Sequence, residues 1–407
     1  MNDDQRRAEV RALARLAGDE LAGAVAGIAA VHRAIADRVF TAVGWGVGPA
    51  ASPVRLTHDA IAGGVYAIVG TAAETAGRVA ERTADLPNAE PPSRTVLGAG
   101  LLGVLTGLIG DRLAEQNPIL AGPMSFRVDG RPVAPEQLGT PQDTLVVFLH
   151  GLVETEHAWR RGGGPSYAER LAAELPCATA EVRFNSGLHI SENARELAEL
   201  LDRTQRAWPV PLRRIALVGH SMGGLIARSA CHLAAAEGAA WAGLVRQIVC
   251  LGSPHLGAPL EQFVHVVSAG LVKLPETRPF GRLLRRRSAG IRDLRQGSLV
   301  DEDWADLDID ALSRRVQQEV PLLPGVEHYF VTASIVRNPN NPLGRIVGDG
   351  LVLVPSGSGR GRARRIEFEP ENGLHLPGAN HFTLLNDAAV HEALRRWLAD
   401  AAPLPRP

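Results

Sequence analysis

The sequence predicts an α/β protein: a mainly parallel sheet with helices on both faces and a cap or lid insertion, preceded by an all-α N-terminal region. Three observations carry this. From about residue 124 onward, continuous apolar runs alternate with helix-like segments, the pattern of parallel strands covered on both faces. Before about residue 115 the chain is rich in Ala and Gly at helical spacing, with hardly any strand signal. Over 258–325 the alternation stops, and an insertion delays the next strand.

In chain order, helices are expected near 5–40, 55–83 and 94–115, separated by the turn-rich "GWGVGPAASP" and "DLPNAEPPSR". The longest apolar run, "VLGAGLLGVLTGLIG", falls short of the roughly 18 residues that a membrane span needs. It reads as a buried helix, with a shallow interfacial segment as the other reading. "MSFRVDGRPVA" predicts a hairpin turning at Asp129-Gly130. Strands follow at 144–150, 178–184, 213–219, 246–252 and 327–334, with helices near 166–175, 191–207 and 222–237. The insertion begins with the apolar "PLEQFVHVVSAGLVKL", which suits a cover over a greasy cleft. A closing helix is expected from about 383 to 401. The expected domains are therefore a helical region over 1–117 without an assigned role and a second domain over 118–401. The latter carries the insertion at 258–325 and is followed by a tail over 402–407.

Composition narrows the function. The 407 residues hold 43 Lys+Arg against 44 Asp+Glu, and aromatics are few, so nothing points to nucleic acid. Three cysteines without a CxxC spacing fit a reducing compartment. No metal-ligand cluster, dinucleotide glycine pattern or phosphate loop is present, so neither metal nor cofactor is expected. The first residues read as a charged amphipathic helix and not as a secretory signal. A cytoplasmic protein is expected, with peripheral membrane contact through residues 1–115 left open and the oligomeric state unassigned.

Chemistry concentrates in "GHSMGG" at 219–224, where an apolar strand meets a helix. Gly219-His220-Ser221-Met222-Gly223 fits G-x-S-x-G in the strand–turn–helix context that the pattern requires. A serine on so sharp a turn needs small neighbours two residues away, and glycine supplies them on both sides. The turn lifts the hydroxyl above the sheet and aims a helix N-terminus at it, where backbone N–H groups can stabilise a negative oxygen.

From about residue 124 onward the chain resembles the α/β-hydrolases of lipase/esterase type. "FLHGL" resembles the oxyanion-hole strand end of bacterial lipases, and "GHSMGG" resembles their nucleophile elbow. "LGSPHLGAP" resembles a segment of lipases and GPI inositol-deacylase-like proteins. The resemblance covers about two thirds of the chain and leaves the helical first third outside.

A serine hydroxyl needs a base within about 2.6–3.2 Å, and in this fold the partners follow in the order Ser, acid, His. His381, in a loop just before the last helix, is the expected base, with His375 on the same connection as runner-up. His220 reads as packing, His255 as support for its loop and His391 as exposed on a helix. Asp349, in "IVGDGLVLVPSG", is the expected acid, holding the imidazole tautomer without taking its proton. Asp301, Asp303, Asp306, Asp308 and Asp310 form a charged run that reads as a solvated face. The oxyanion donors are expected to be the backbone N–H groups of Met222 and, by resemblance, Leu152. The expected activity is hydrolysis of carboxylic esters, lipid-like or otherwise apolar, through an acyl-enzyme on Ser221. Acyl transfer or thioesterase chemistry could use the same groups. A non-catalytic, membrane-associated scaffold is the alternative from another class.

Overall fold

The apolar runs form strands because each can be buried on both sides at once. In β3 (Thr144–Leu149) residues 145–149 are all 0–1% exposed, and successive side chains point to opposite faces. Leu145, Val147 and Leu149 enter one core with Leu197, Leu225 and Ile226, while Val146 and Phe148 enter another with Trp159, Tyr167 and Leu394. Each such side chain contributes about 1.5–3 kcal/mol relative to exposure, so a one-residue slip of this strand is strongly disfavoured.

The computed structural model of the chain describes residues 2–19, 90–258, 288–305, 318–338, 344, 347–361 and 364–399. The expected helices beyond residue 19 and before residue 90, the apolar start of the insertion at 259–274 and the tail lie outside the described residues. The other strands are β1 (Ser125–Val128), β2 (Arg131–Val133), β4 (Ala178–Arg183), β5 (Arg214–His220), β6 (Val245–Leu251), β7 (Glu327–Ser334) and β8 (Gly373–Pro377). They make one eight-stranded sheet in the order β2-β1-β4-β3-β5-β6-β7-β8. β1 pairs antiparallel with β2 and with β4; every other pairing is parallel.

Helices cover both faces, as the alternation predicts. α1 (Asn2–Asp19) and α2 (Val96–Gln116) precede the sheet, and α3 (Tyr167–Glu174), α4 (Ile190–Ala207) and α5 (Met222–Glu237) cross between strands. α6 (Ala289–Gln296) belongs to the insertion and α7 (Ala388–Ala399) closes the described chain. α4 and α5 pack on one core, whereas α3 and α7 pack on the other. Cys177, Cys231 and Cys250 are all free and buried. Burial pushes the thiols up, to about 11 at Cys177 and about 12 at Cys250.

Three local readings change. The sequence gives no strand at 373–377, yet β8 is there; a five-residue strand beginning with Gly and ending with Pro carries little apolar pattern. The closing helix is split, with a 3₁₀ turn over His381–Leu385 before α7 starts at Ala388. His391 is not exposed: its side chain is 11% accessible and Nε2 meets Glu174 at 3.0 Å.

α2 is long and apolar enough to cross a membrane, and it is the one such helix among the described residues. Its glycines other than Gly100 face protein. A Cβ on Gly103 would lie 2.9 Å from the Glu154 carbonyl oxygen, and one on Gly107 would lie 2.5 Å from Val153 Cγ1. Asn185 Nδ2 donates to the Gly110 carbonyl at 2.8 Å, and Ser288 Oγ donates to the Gly107 carbonyl at 2.6 Å. The helix thus runs along three loops at the C-terminal edge of the sheet, where ligands of parallel α/β folds gather.

Candidate active site

Ser221 joins β5 to α5 with φ 52° and ψ −116°, a conformation that a non-glycine residue adopts only under constraint. The constraint is close packing. A Cβ on Gly219 would lie 2.2 Å from the Gly224 nitrogen, and one on Gly223 would lie 2.3 Å from the Leu149 carbonyl oxygen. Only glycine fits either place. The Ser221 N–H donates to the Leu251 carbonyl at 2.8 Å, tying the turn to the end of β6.

Asp349 sits between Gly348 (φ 58°) and Gly350 (φ 98°), so the chain folds back on its carboxylate. Oδ1 accepts from the backbone N–H groups of Leu351 at 2.9 Å and Val352 at 2.7 Å. Oδ2 lies 2.7 Å from His381 Nδ1, and the His381 N–H donates to the Asp349 carbonyl at 3.0 Å. With Nδ1 donating to a carboxylate, Nε2 is the atom left to accept a proton. His381 is 3% exposed. Burial pulls its pKa down, but the charge of Asp349, their hydrogen bond and the charge of Glu154 outweigh it, and the net shift is upward.

The His381 ring rests on the end of β6: a Cβ on Gly252 would lie 3.2 Å from both its Cε1 and its Nδ1. Residue 252 follows Leu251, the acceptor of the Ser221 N–H, and the neighbouring His220 ring lies 4.6 Å from that of His381. The structure therefore brings Asp349 and His381 together directly and packs His381 against the turn that holds Ser221. Ser221 Oγ itself makes no hydrogen bond to a described residue, His381 included.

Leu152 and Met222 flank the same spot. A Cβ on Gly151 would lie 3.1 Å from Ser221 Cβ, which puts the loop after β3 against the serine. Met222 opens α5 and Leu152 lies in the loop turn, and neither N–H donates to a described residue. His375, the alternative base, lies on β8 with Nδ1 3.0 Å from Thr332 Oγ1 and Nε2 3.3 Å from Ser334 Oγ, so both ring nitrogens are engaged. Of the acidic run, Asp303 is buried, accepting from Leu299 N–H at 2.8 Å, and is not part of a solvated face. Asp301 pairs with Arg195 at 2.6 Å; Asp306, Asp308 and Asp310 lie outside the described residues.

The sequence reading missed a second pair. Glu154 Oε2 accepts from the Gly151 N–H at 2.6 Å and lies 2.9 Å from His220 Nδ1, while His220 Nε2 faces the His381 carbonyl at 3.2 Å. Both His220 nitrogens thus lie within hydrogen-bond reach of an oxygen. Burial raises the Glu154 pKa, but the charge and hydrogen bond of His220 and the Gly151 N–H more than offset it, and the carboxylate is held below its ordinary range. One buried pair thus links the loop of Leu152, the turn of Ser221 and the backbone of His381. An acidic residue five places past an apolar strand, opposite a histidine in the turn, was the only available signal.

A family model described as PGAP1-like alpha/beta domain matches residues 180–316, which take in β5, Ser221 and the "LGSPHLGAP" segment. No curated protein matches the chain. Among solved structures, the chain is similar to the mature Bacillus licheniformis lipase BlEst2, at 16% identity, 68% of this chain, 99% of that chain and a TM-score of 0.41. It is also similar to a Pyrobaculum calidifontis esterase, at 15% identity, 76% and 93% coverage and a TM-score of 0.39. Potato epoxide hydrolase StEH1 aligns at 12% identity, with 68% and 99% coverage and a TM-score of 0.36.

Proposed function

We propose that this chain, of the α/β-hydrolase superfamily, is a serine hydrolase that cleaves carboxylic esters with apolar acyl groups. The observation that carries the reading is the 2.7 Å bond between His381 Nδ1 and Asp349 Oδ2, with the imidazole packed on the strand end that anchors Ser221. In this reading His381 Nε2 takes the Ser221 proton as Oγ attacks the acyl carbon, and Asp349 stabilises the imidazolium. The oxyanion receives the N–H groups of Leu152 and Met222, each worth about 2.7–4 kcal/mol of transition-state stabilisation. His381 then returns its proton to the leaving alkoxide. Water, deprotonated by the same imidazole, attacks the acyl carbon; the acyl–Oγ bond breaks, Ser221 Oγ takes the proton back from His381 and the acid departs.

The PGAP1-like match over the serine turn supports hydrolase chemistry on this chain. Preference for an apolar acyl group is proposed from the sequence of the insertion. The test is labelling with a fluorophosphonate, comparing the wild-type chain with Ser221→Ala. Labelling confined to the wild type is expected, and equal labelling of both ends the proposal. Rates across p-nitrophenyl esters of increasing acyl length then read out the preference, which is expected to rise from acetate toward longer chains.

A further inference from the structure

Away from Ser221, the described residues hold a buried cationic group to which the proposed chemistry gives no task. Arg228, on α5, is 3% exposed and pairs with no carboxylate among the described residues. Its Nη2 donates to the Val320 carbonyl at 2.9 Å, and its Nη1 donates to His255 Nδ1 at 3.2 Å. Because His255 accepts at Nδ1, its hydrogen sits on Nε2, which is buried without a partner. His328 repeats the arrangement in mirror form. Its Nε2 accepts from the Leu323 N–H at 3.1 Å, which leaves the hydrogen on Nδ1, also buried without a partner. Arg228 Nε is a third such donor.

Three buried N–H groups with no acceptor are a departure from the near-universal pairing of buried polar groups, and all three are donors. They surround one ring: the Phe368 centroid lies 5.0 Å from that of His255, 6.4 Å from that of His328 and 5.9 Å from Arg228 Cζ. A cavity of about 200 Å³ opens beside them, lined by Arg228, His328 and His232 together with the apolar Ala235, Ile248 and Leu323.

Charge selects the kind of anion. Burial holds His328 at about 4 and His255 well below its ordinary value, so both are neutral near pH 7. Burial lowers Arg228 to about 10, which still leaves it charged. The neighbouring Arg364 is offset by Asp303 and Glu319. The cluster therefore offers one positive charge with no carboxylate partner among the described residues, a planar donor and an apolar wall. A phosphate dianion would bring excess charge into an apolar wall, whereas a carboxylate matches the guanidinium in charge and shape.

We propose that this cavity binds a monocarboxylate with a short apolar tail, its carboxylate facing Arg228 and His328 in the cavity wall and its tail lying on Ala235, Ile248 and Leu323. The site is distinct from Ser221 and stands whether or not the chain hydrolyses esters. The test is calorimetric titration and thermal unfolding of the Ser221→Ala chain with hexanoate, with 1-hexanol and inorganic phosphate as the arms that remove the charge or the tail. Saturable hexanoate binding that raises the unfolding midpoint is expected, with neither hexanol nor phosphate binding. Adding Arg228→Met is expected to weaken hexanoate at least about tenfold. Adding Ala235→Phe, which fills the cavity and leaves the donors in place, is expected to abolish binding. Absence of saturable hexanoate binding, unchanged binding in the Ala235→Phe chain, or tighter binding of phosphate would each overturn the proposal. Should Arg228→Met fail to fold, the Ala235→Phe arm decides alone.

Discussion

Replacing Gly107 by alanine tests whether α2 positions the loop that carries Leu152. The added Cβ would lie 2.5 Å from Val153 Cγ1, 2.9 Å from the Val153 nitrogen and 3.0 Å from its Cα. Non-bonded carbons settle at about 3.5–4.0 Å, so relief asks for a displacement of roughly 0.5–1 Å. Two of the three contacts are backbone, which means that the loop itself has to move. Val153 already sits at φ 58°, a costly place for a β-branched residue, so the loop has little slack to give. Leu152 is the adjacent residue, and misplacing a reacting group by about 1 Å costs on the order of 10² in rate. We expect kcat on a p-nitrophenyl ester to fall about 10- to 100-fold in Gly107→Ala while KM changes far less, because in the proposed mechanism the Leu152 N–H acts on charge that develops in the transition state. Gly100→Ala on the same helix meets nothing within 4 Å. It is expected to keep full activity and to add about 0.5–1 kcal/mol of stability from helix propensity. Steady-state kinetics and urea unfolding of the two variants decide the matter. If Gly107→Ala folds as well as Gly100→Ala and turns over as fast, the reasoning that α2 fixes this loop is wrong.

Two further outcomes follow from the charged groups. His381 must be neutral to act as a base, so kcat/KM should rise as pH climbs through its pKa, which Asp349 holds up against burial. In Asp349→Asn that limb is expected to move to lower pH while the plateau drops by on the order of 10⁴; a pH–rate profile shifted the other way would refute the assignment. Glu156, 2% exposed, is bonded through Arg183 Nε at 2.6 Å, and the bond and charge of Arg183 outweigh burial to hold its pKa below the ordinary 4.5. A depressed carboxylate stabilises the fold fully above its unfolded pKa and loses that contribution as pH falls through the folded value. Urea denaturation should therefore show Glu156→Gln costing about 3–5 kcal/mol at neutral pH, with the gap from wild type narrowing below about pH 4.5; a gap that does not change with pH would remove the ion pair as its cause.

The strands that carry the site were legible because parallel strands in a covered sheet are apolar on both faces: β3, β5, β6 and β7 each hold a continuous apolar run and appear close to where the runs place them. Ser221 was legible for a related reason, since the crowding at Gly219 and Gly223 admits no other residue and leaves its mark in composition. β8 was not, because a strand of five residues at the sheet edge has too few apolar positions to form a pattern. The Glu154–His220 pair joins residues 66 apart, and the contact of Gly107 with Val153 joins residues from two segments separated by β1, β2 and β3. Periodicity reports the face that a residue occupies within its own element, but not the loop that comes to lie against it. The glycines at 103, 107 and 110 announced a close approach, and only the tertiary structure says to what.

The inert sulfur chemistry of the chain has a practical corollary. With Cys177, Cys231 and Cys250 all shielded and their thiols pushed toward the protonated form, maleimides and other thiolate-selective reagents find little to attack in the folded protein. A cysteine introduced at an exposed position such as Leu97, near the N-terminal end of α2, would then be the dominant reactive sulfur. Fluorescent or spin probes could be attached there without first removing the native three, which turns the natural sequence into a ready background for following how that end of the helix meets its surroundings.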